Sequence, residues 1–222
     1  MRGVFVTGTD TGVGKTVLAA AACAALAGRG LSVAAFKPVV TGLAEKPGEW
    51  PPDHELLAAA TGQRPEEVAP YRFGPPVSPH FAAELAGEWL EPARLVGAAR
   101  AAGEGVDVLV CEGVGGLLVP LTPGYLVRDL ALDLRLRLVV ASRPGLGTIN
   151  HTLLTVEAAR AAGLAVAGVV MTPWGPEPEP IEASNRAIVE RLARVPVSGL
   201  PLTDPGALAA AGSELPLDDW LT

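Results

Sequence analysis

Apolar residues in this chain come as two kinds of run, and the two alternate. Short, Val-rich stretches without polar interruption are followed by longer Ala/Leu-rich stretches at helical spacing. Strands that are apolar at every position belong in a sheet covered on both faces, and their alternation with helices is the βαβ rhythm of a parallel sheet. Val4–Val6 reads as the first strand, and Thr16–Ala27 as a helix closed by Gly28-Arg29-Gly30. Ser32–Phe36, Val106–Cys111, Leu138–Ala141 and Ala165–Met171 read as further strands, with a short last one at Val195–Val197. Pro92–Ala102, Thr148–Ala162 and Ile181–Ala193 have the spacing and length of helices, and Asp53 opens another. Two Pro/Gly-rich stretches stand apart. Lys46–Pro52 is expected to be a mobile loop beside a site, and Pro173–Pro180 a rigid surface connector. No internal repeat or shift of composition marks a boundary. The expectation is an α/β fold in one domain over residues 1–222: a doubly wound, mostly parallel sheet with helices on both faces.

Composition narrows the function. With 222 residues, 49% hydrophobic and 18% charged, the chain can bury a full core. A net charge of −7 argues against nucleic-acid binding, which needs a basic face, but leaves small anionic ligands open. Cys23 and Cys111 sit in apolar runs and read as small buried side chains; His54, His80 and His151 are not spaced as metal ligands. No secretion signal and no apolar run of membrane-spanning length is visible, so a cytoplasmic location is expected. Of 17 basic residues, 14 are Arg, and the only lysines are Lys15, Lys37 and Lys46. Where Arg is the default cation, each Lys invites the question of what an ammonium does that a guanidinium cannot.

Gly8-Thr9-Asp10-Thr11-Gly12-Val13-Gly14-Lys15-Thr16 joins the first strand to the first helix, the setting of a phosphate-binding loop. Backbone N–H groups and the helix N-terminus would hold a polyphosphate, Lys15 would reach its β and γ phosphates, and Thr16 would ligate Mg²⁺. The strict glycine spacing is not met, because Thr9 stands in the usual glycine place. Lys37 follows directly on the second strand, with Pro38 fixing its backbone, and points to the same crevice, since open α/β sheets bind ligands at strand C-termini. Glu112 ends the strongest strand before Gly113, Gly115 and Gly116, and can share Mg²⁺ with Thr16. Asp53 suits the same metal, or caps its helix; both readings stand.

With these residues in place, the chain resembles the dethiobiotin synthetases over most of its length. The segments are Val6–Thr11 with Val13–Thr16, Lys37-Pro38-Val39 with Gly42, Ser78-Pro79-His80, Glu112-Gly113 with Gly115-Gly116, and Gly147 with Ile149-Asn150-His151. The resemblance implies a P-loop NTPase fold and an ATP- and Mg²⁺-dependent ligase of biotin synthesis. Such an enzyme converts 7,8-diaminononanoate and CO₂ to dethiobiotin through a carbamate and a carbamic–phosphoric anhydride. It also implies roles. Lys37, Lys15 and Thr11 would be catalytic, with Lys37, Thr41, Gly115 and Asn150 on the substrate. ATP would be held by Gly12, Val13, Gly14, Lys15, Thr16, Val17, Asp53, Glu112, Gly113, Val114, Gly115, Thr172, Pro173, Pro201 and Leu202. Mg²⁺ would be held by Thr16, Asp53 and Glu112. Asn150 would reach the substrate carboxylate from a partner subunit, so a homodimer is implied.

Two positions depart from the family pattern. Gly12 stands where some members carry Glu. Thr172, in Met171-Thr172-Pro173, stands where members commonly have Asn for the adenine edge; a hydroxyl cannot match an amide, so relaxed base discrimination is expected. Two alternatives differ in class. A related P-loop amidoligase would append a glutaminase domain, for which 222 residues leave no room. A ParA/MinD-like ATPase switch usually carries a second lysine early in the loop, where this chain has Gly8-Thr9-Asp10, and a basic or amphipathic partner surface.

Overall fold

The computed structural model describes residues 1–46 and 48–222. Its first apolar run forms β1 (Gly3–Gly8), and the alanine-rich segment forms α1 (Lys15–Gly28). Next come β2 (Val33–Phe36), β3 (Val39–Val40), α2 (Asp53–Thr61), α3 (Pro65–Val68) and β4 (Tyr71–Arg72). Then α4 (Pro79–Ala86) and α5 (Pro92–Ala102) lead to β5 (Val108–Gly116), followed by a small hairpin of β6 (Pro120–Thr122) and β7 (Tyr125–Leu126). After α6 (Val127–Leu134) come β8 (Arg137–Ser142), α7 (Thr148–Ala161), β9 (Val166–Trp174), α8 (Pro180–Ala193) and β10 (Val197–Pro201). The helices α9 (Leu208–Ser213) and α10 (Leu217–Trp220) complete the order.

Six strands pair in the order β10-β9-β8-β1-β5-β2, every pair parallel. From β1 the chain crosses to the edge strand β2 and returns to β5 between them, then winds outward on the other side through β8, β9 and β10. The reversal therefore falls at β1, between β5 and β8, where such sheets open a crevice at their carboxyl edge. Alternate residues of each strand feed two cores. Phe5, Leu109 and Leu138 pack in one with Leu95, Leu130 and Val156; Val4, Val6, Val110 and Val139 pack in the other with α1 and α2. Burial on both faces is why these strands carry no polar alternation.

The helix behind the crevice is built to sit close. Ala19–Ala22 of α1 are fully buried, and α1 contacts both α2 and α9. A Cβ on Gly212 of α9 would run into the Ala21 carbonyl, so only glycine permits this approach of the two backbones.

Several boundaries differ from the sequence expectation. β5 does not end at Glu112 but continues to Gly116: Val6 pairs with Glu112 and Gly8 with Gly116 across an irregularity. Glycines are poor strand formers, and here pairing with β1 overrides that. The last strand begins at Val197, not Val195, and extends to Pro201. Pro173 and Trp174 belong to β9 and Pro180 opens α8, so only 175–179 of the expected Pro/Gly connector lie between elements. Pro47, in the other Pro/Gly stretch, lies outside the described residues.

Candidate functional site

The carboxyl edge of the sheet frames a cleft of about 910 Å³. Its floor is the loop between β1 and α1. Two glycines take left-handed conformations there, Gly12 at φ 70° and Gly14 at φ 82°, which side chains with a Cβ rarely adopt. Thr9 N–H donates to Ala141 O at 3.0 Å and Thr11 N–H to Asp10 Oδ1 at 2.7 Å, fixing the loop's entry. Among the described residues, the N–H groups from Gly12 to Val17 have no acceptor within the protein. They form an unsatisfied nest at the start of a helix, the arrangement that binds phosphate oxygens. Lys15 Nζ folds back to donate to Asp10 O at 2.8 Å. Burial lowers its pKa from 10.5 to about 8, against the pull of Glu112.

The flank beyond β5 carries three charged groups. Lys37 Nζ lies 2.5 Å from Glu112 Oε1 and 2.6 Å from Asp53 Oδ2. Glu112 Oε1 also accepts from Thr16 Oγ1 at 2.9 Å, which ties the acidic strand to the phosphate loop. Burial works against the Lys37 charge, but Asp53 and Glu112 outweigh it and hold its pKa above the ordinary lysine value. Burial raises the carboxyl pKa of Glu112 despite Lys37. At Asp53 burial is again the largest single influence and pushes upward, but the charge and hydrogen bond of Lys37, with Thr16 and Lys15, together outweigh it and the pKa is lowered. Glu112 Oε2 is buried without any partner. Asp53 is the first residue of α2 and makes no side-chain cap bond; Pro52 occupies the cap position. The helix-cap alternative for Asp53 is thereby corrected: its carboxylate is turned to Lys37.

Most residues singled out in the sequence converge here. Thr11, Gly12, Gly14, Lys15, Thr16, Val17, Lys37, Thr41, Asp53, Glu112, Val114 and Gly115 line the cleft, as do Thr172, Pro173, Pro201 and Leu202 towards β9 and β10. Three do not. Val13 is buried beneath the loop, Gly113 faces Phe5 and Val127, and Asn150 is exposed on α7 outside the cleft. Lys46 is exposed and, among the described residues, in no ion pair. Sequence reasoning missed Arg143, which lines the cleft from the end of β8, and missed that Thr172 packs on the loop: a Cβ on Gly14 would come within 2.6 Å of Thr172 Cγ2. The strand-end rule that flagged Lys37 was the available signal for Arg143.

A parallel sheet with a phosphate loop at its switch point and a lysine–carboxylate cluster beside it defines a P-loop nucleotide-binding protein. Solved structures agree on the fold: a ParA family ATPase from Chlorobium tepidum superposes with a TM-score of 0.57 at 10% identity, covering 96% of this chain and 90% of that one. The cell division ATPase MinD of Pyrococcus furiosus gives 0.55 at 18% identity, with the same two coverages. Residues 2–201 match a family described as an AAA domain. Sequence relatives are more specific. The chain is 48% identical over 204 residues to the ATP-dependent dethiobiotin synthetase BioD of Anaeromyxobacter dehalogenans (strain 2CP-1), covering 90% of each. It is 36% identical over 202 residues to the Bacillus subtilis (strain 168) protein of the same name, covering 90% of this chain and 87% of that one. The chain belongs to the dethiobiotin synthetase family.

Proposed function

We propose that the chain catalyses the ATP-dependent closure of 7,8-diaminononanoate and CO₂ to dethiobiotin, a ligase reaction of biotin synthesis, with residues 1–222 acting as one catalytic unit. The observation that carries this is Lys37, buried between Asp53 and Glu112 at the edge of the phosphate loop's N–H nest. An amine of the substrate takes up CO₂ as a carbamate and releases a proton. A carbamate oxygen then attacks the γ-phosphorus, and the bond to the β-phosphate oxygen breaks to give ADP. The second amine attacks the carbonyl carbon of the mixed anhydride, closing the urea and expelling phosphate.

The chain's part is positioning and charge stabilisation. The nest N–H groups and Lys15 hold the triphosphate, Lys37 offers a compact ammonium to the carbamate and the transferring phosphoryl group, and Thr11, Thr41 and Gly115 border the space for the diamine. A magnesium ion fits the residues present: a hydroxyl, Thr16, and two carboxylates, Asp53 and Glu112, with Glu112 Oε2 lacking any other partner. Bound there, it would neutralise phosphate charge. Asn150 lies in the first turn of α7, with Leu154 one turn further on and Leu146 just before the helix, and those leucines are 57% and 93% exposed. That face supports a homodimer in which Asn150 serves the partner's substrate carboxylate. Among the described residues no helix is long and apolar enough to cross a membrane, and we take the enzyme to be cytoplasmic.

Incubation with diaminononanoate, bicarbonate, Mg²⁺ and ATP should yield dethiobiotin with one phosphate released per product. Absence of diamine-dependent phosphate release would refute the assignment.

A further inference from the structure

Arg143 is the first residue beyond β8, and β8 runs beside β1 with Ala141 level with Gly8. Its side chain reaches the phosphate loop. Nη2 stands 3.4 Å from Thr11 O, 3.5 Å from Gly12 O and 3.3 Å from the position a Gly12 Cβ would take. Both contacts are at the long limit of hydrogen bonding, so the guanidinium is lightly held. They use carbonyl oxygens and leave the N–H nest free. Among the described residues no carboxylate lies within 4.0 Å of Arg143, whereas Lys37 has two. Arg143 is exposed, lines the cleft, and stands on the β8 side of the loop, opposite the β5 side that holds Glu112 and Lys37.

We propose that Arg143 is a further triphosphate-binding residue, which leaves the two loop carbonyls when ATP fills the nest and grips γ-phosphate oxygens from the side opposite Lys37. A guanidinium is always charged and can donate two parallel bonds to a phosphate. The charge is useful here because Lys37 is already matched by Asp53 and Glu112. Gly12 keeps the approach open, since a side chain at that position would meet Arg143. The contact is lost once the γ-phosphoryl group has been transferred and released, so Arg143 favours ATP over ADP and helps the product nucleotide leave. This consequence for turnover rests on the synthetase reading; the binding preference does not.

The test compares Arg143→Gln and Arg143→Lys with Arg160→Gln, which removes the same charge from the exposed end of α7. Calorimetry measures Mg-ATP and Mg-ADP affinity without diamine. Losing a charge-assisted bond predicts at least about tenfold weaker ATP binding for Arg143→Gln, with ADP affinity changed less than about threefold. Arg143→Lys should fall between, and Arg160→Gln should match the wild type. Equal losses for ATP and ADP, no loss, or an effect confined to the KM for diamine would overturn the proposal. Failure of the synthetase assignment is distinguishable: it leaves the ATP-over-ADP difference intact while the wild type forms no dethiobiotin.

Discussion

Replacing Lys37 by Met removes the ammonium that bridges Asp53 and Glu112 and leaves a side chain of similar length. Two carboxylates lose their partner, but not equally. Glu112 is fully buried, whereas the Asp53 side chain is 43% exposed and solvent screens its arm. Breaking a buried ion pair costs about 3–5 kcal/mol because the remaining charge has no compensation. With one arm screened, the low end, about 3 kcal/mol, is expected. At roughly 2–4 °C per kcal/mol for a chain of this size, Tm should fall by about 6–12 °C in metal-free buffer at pH 7. The double variant Lys37→Met/Glu112→Gln removes the fully buried carboxylate together with its partner, and Gln can still accept from Thr16. It should therefore regain most of the loss while remaining without turnover. Calorimetric melts of the wild type and both variants decide the matter. A Lys37→Met protein melting within about 2 °C of the wild type, or a double variant less stable than the single one, would refute the electrostatic account.

Three other outcomes are expected. Lys37→Arg should lose about 100-fold or more in turnover while nucleotide affinity holds within a few fold, since a planar fork cannot replace a compact charge; near-normal turnover in a coupled phosphate assay would contradict the assigned role. ATP, CTP and GTP should support turnover within about tenfold of one another, because Thr172 offers one hydroxyl where an amide would read the base; parallel kinetics showing an ATP preference of about 100-fold would count against this. Gly14→Ala should abolish nucleotide binding, and adding Thr172→Ser, which removes the clashing Cγ2, should restore it only in part because the left-handed backbone still costs about 1–2 kcal/mol. Full restoration in a nucleotide titration would show that the clash alone matters.

What the sequence disclosed is what lies in short continuous segments. The βαβ alternation, the Gly8–Thr16 loop and the position of Lys37 after a strand are local facts with one physical reading each. The pairing of Lys37 with both Asp53 and Glu112 was not legible, because it joins residues 16 and 75 positions apart through the sheet order. The helices α3, α4, α6, α9 and α10 were missed, α3 and α10 being single turns of four residues. In α6, Val127–Leu134 carries its apolar face in only two turns, and α9 is made mostly of Ala and Gly, whose role is close approach to α1. Arg143 follows a strand as Lys37 does, but in a chain whose surface cations are nearly all Arg that position does not single it out; the adjacency of β8 to β1 brings it to the loop.

The strand order also fixes which properties of the site can change independently. Thr172 and Pro173 lie on β9 and Lys37 follows β2, and three strands, β8, β1 and β5, stand between. At about 4.8 Å per strand the two strands are roughly 19 Å apart, and what joins their ends is the phosphate loop, on which Thr172 packs at Gly14 and which Thr16 ties to Glu112. Thr172 and Lys37 can therefore influence one another only through that loop. The free-energy effects of changes at the two ends should add except where a change moves the loop, so a double-mutant cycle on Lys37 and Thr172 reads how stiffly the loop is held.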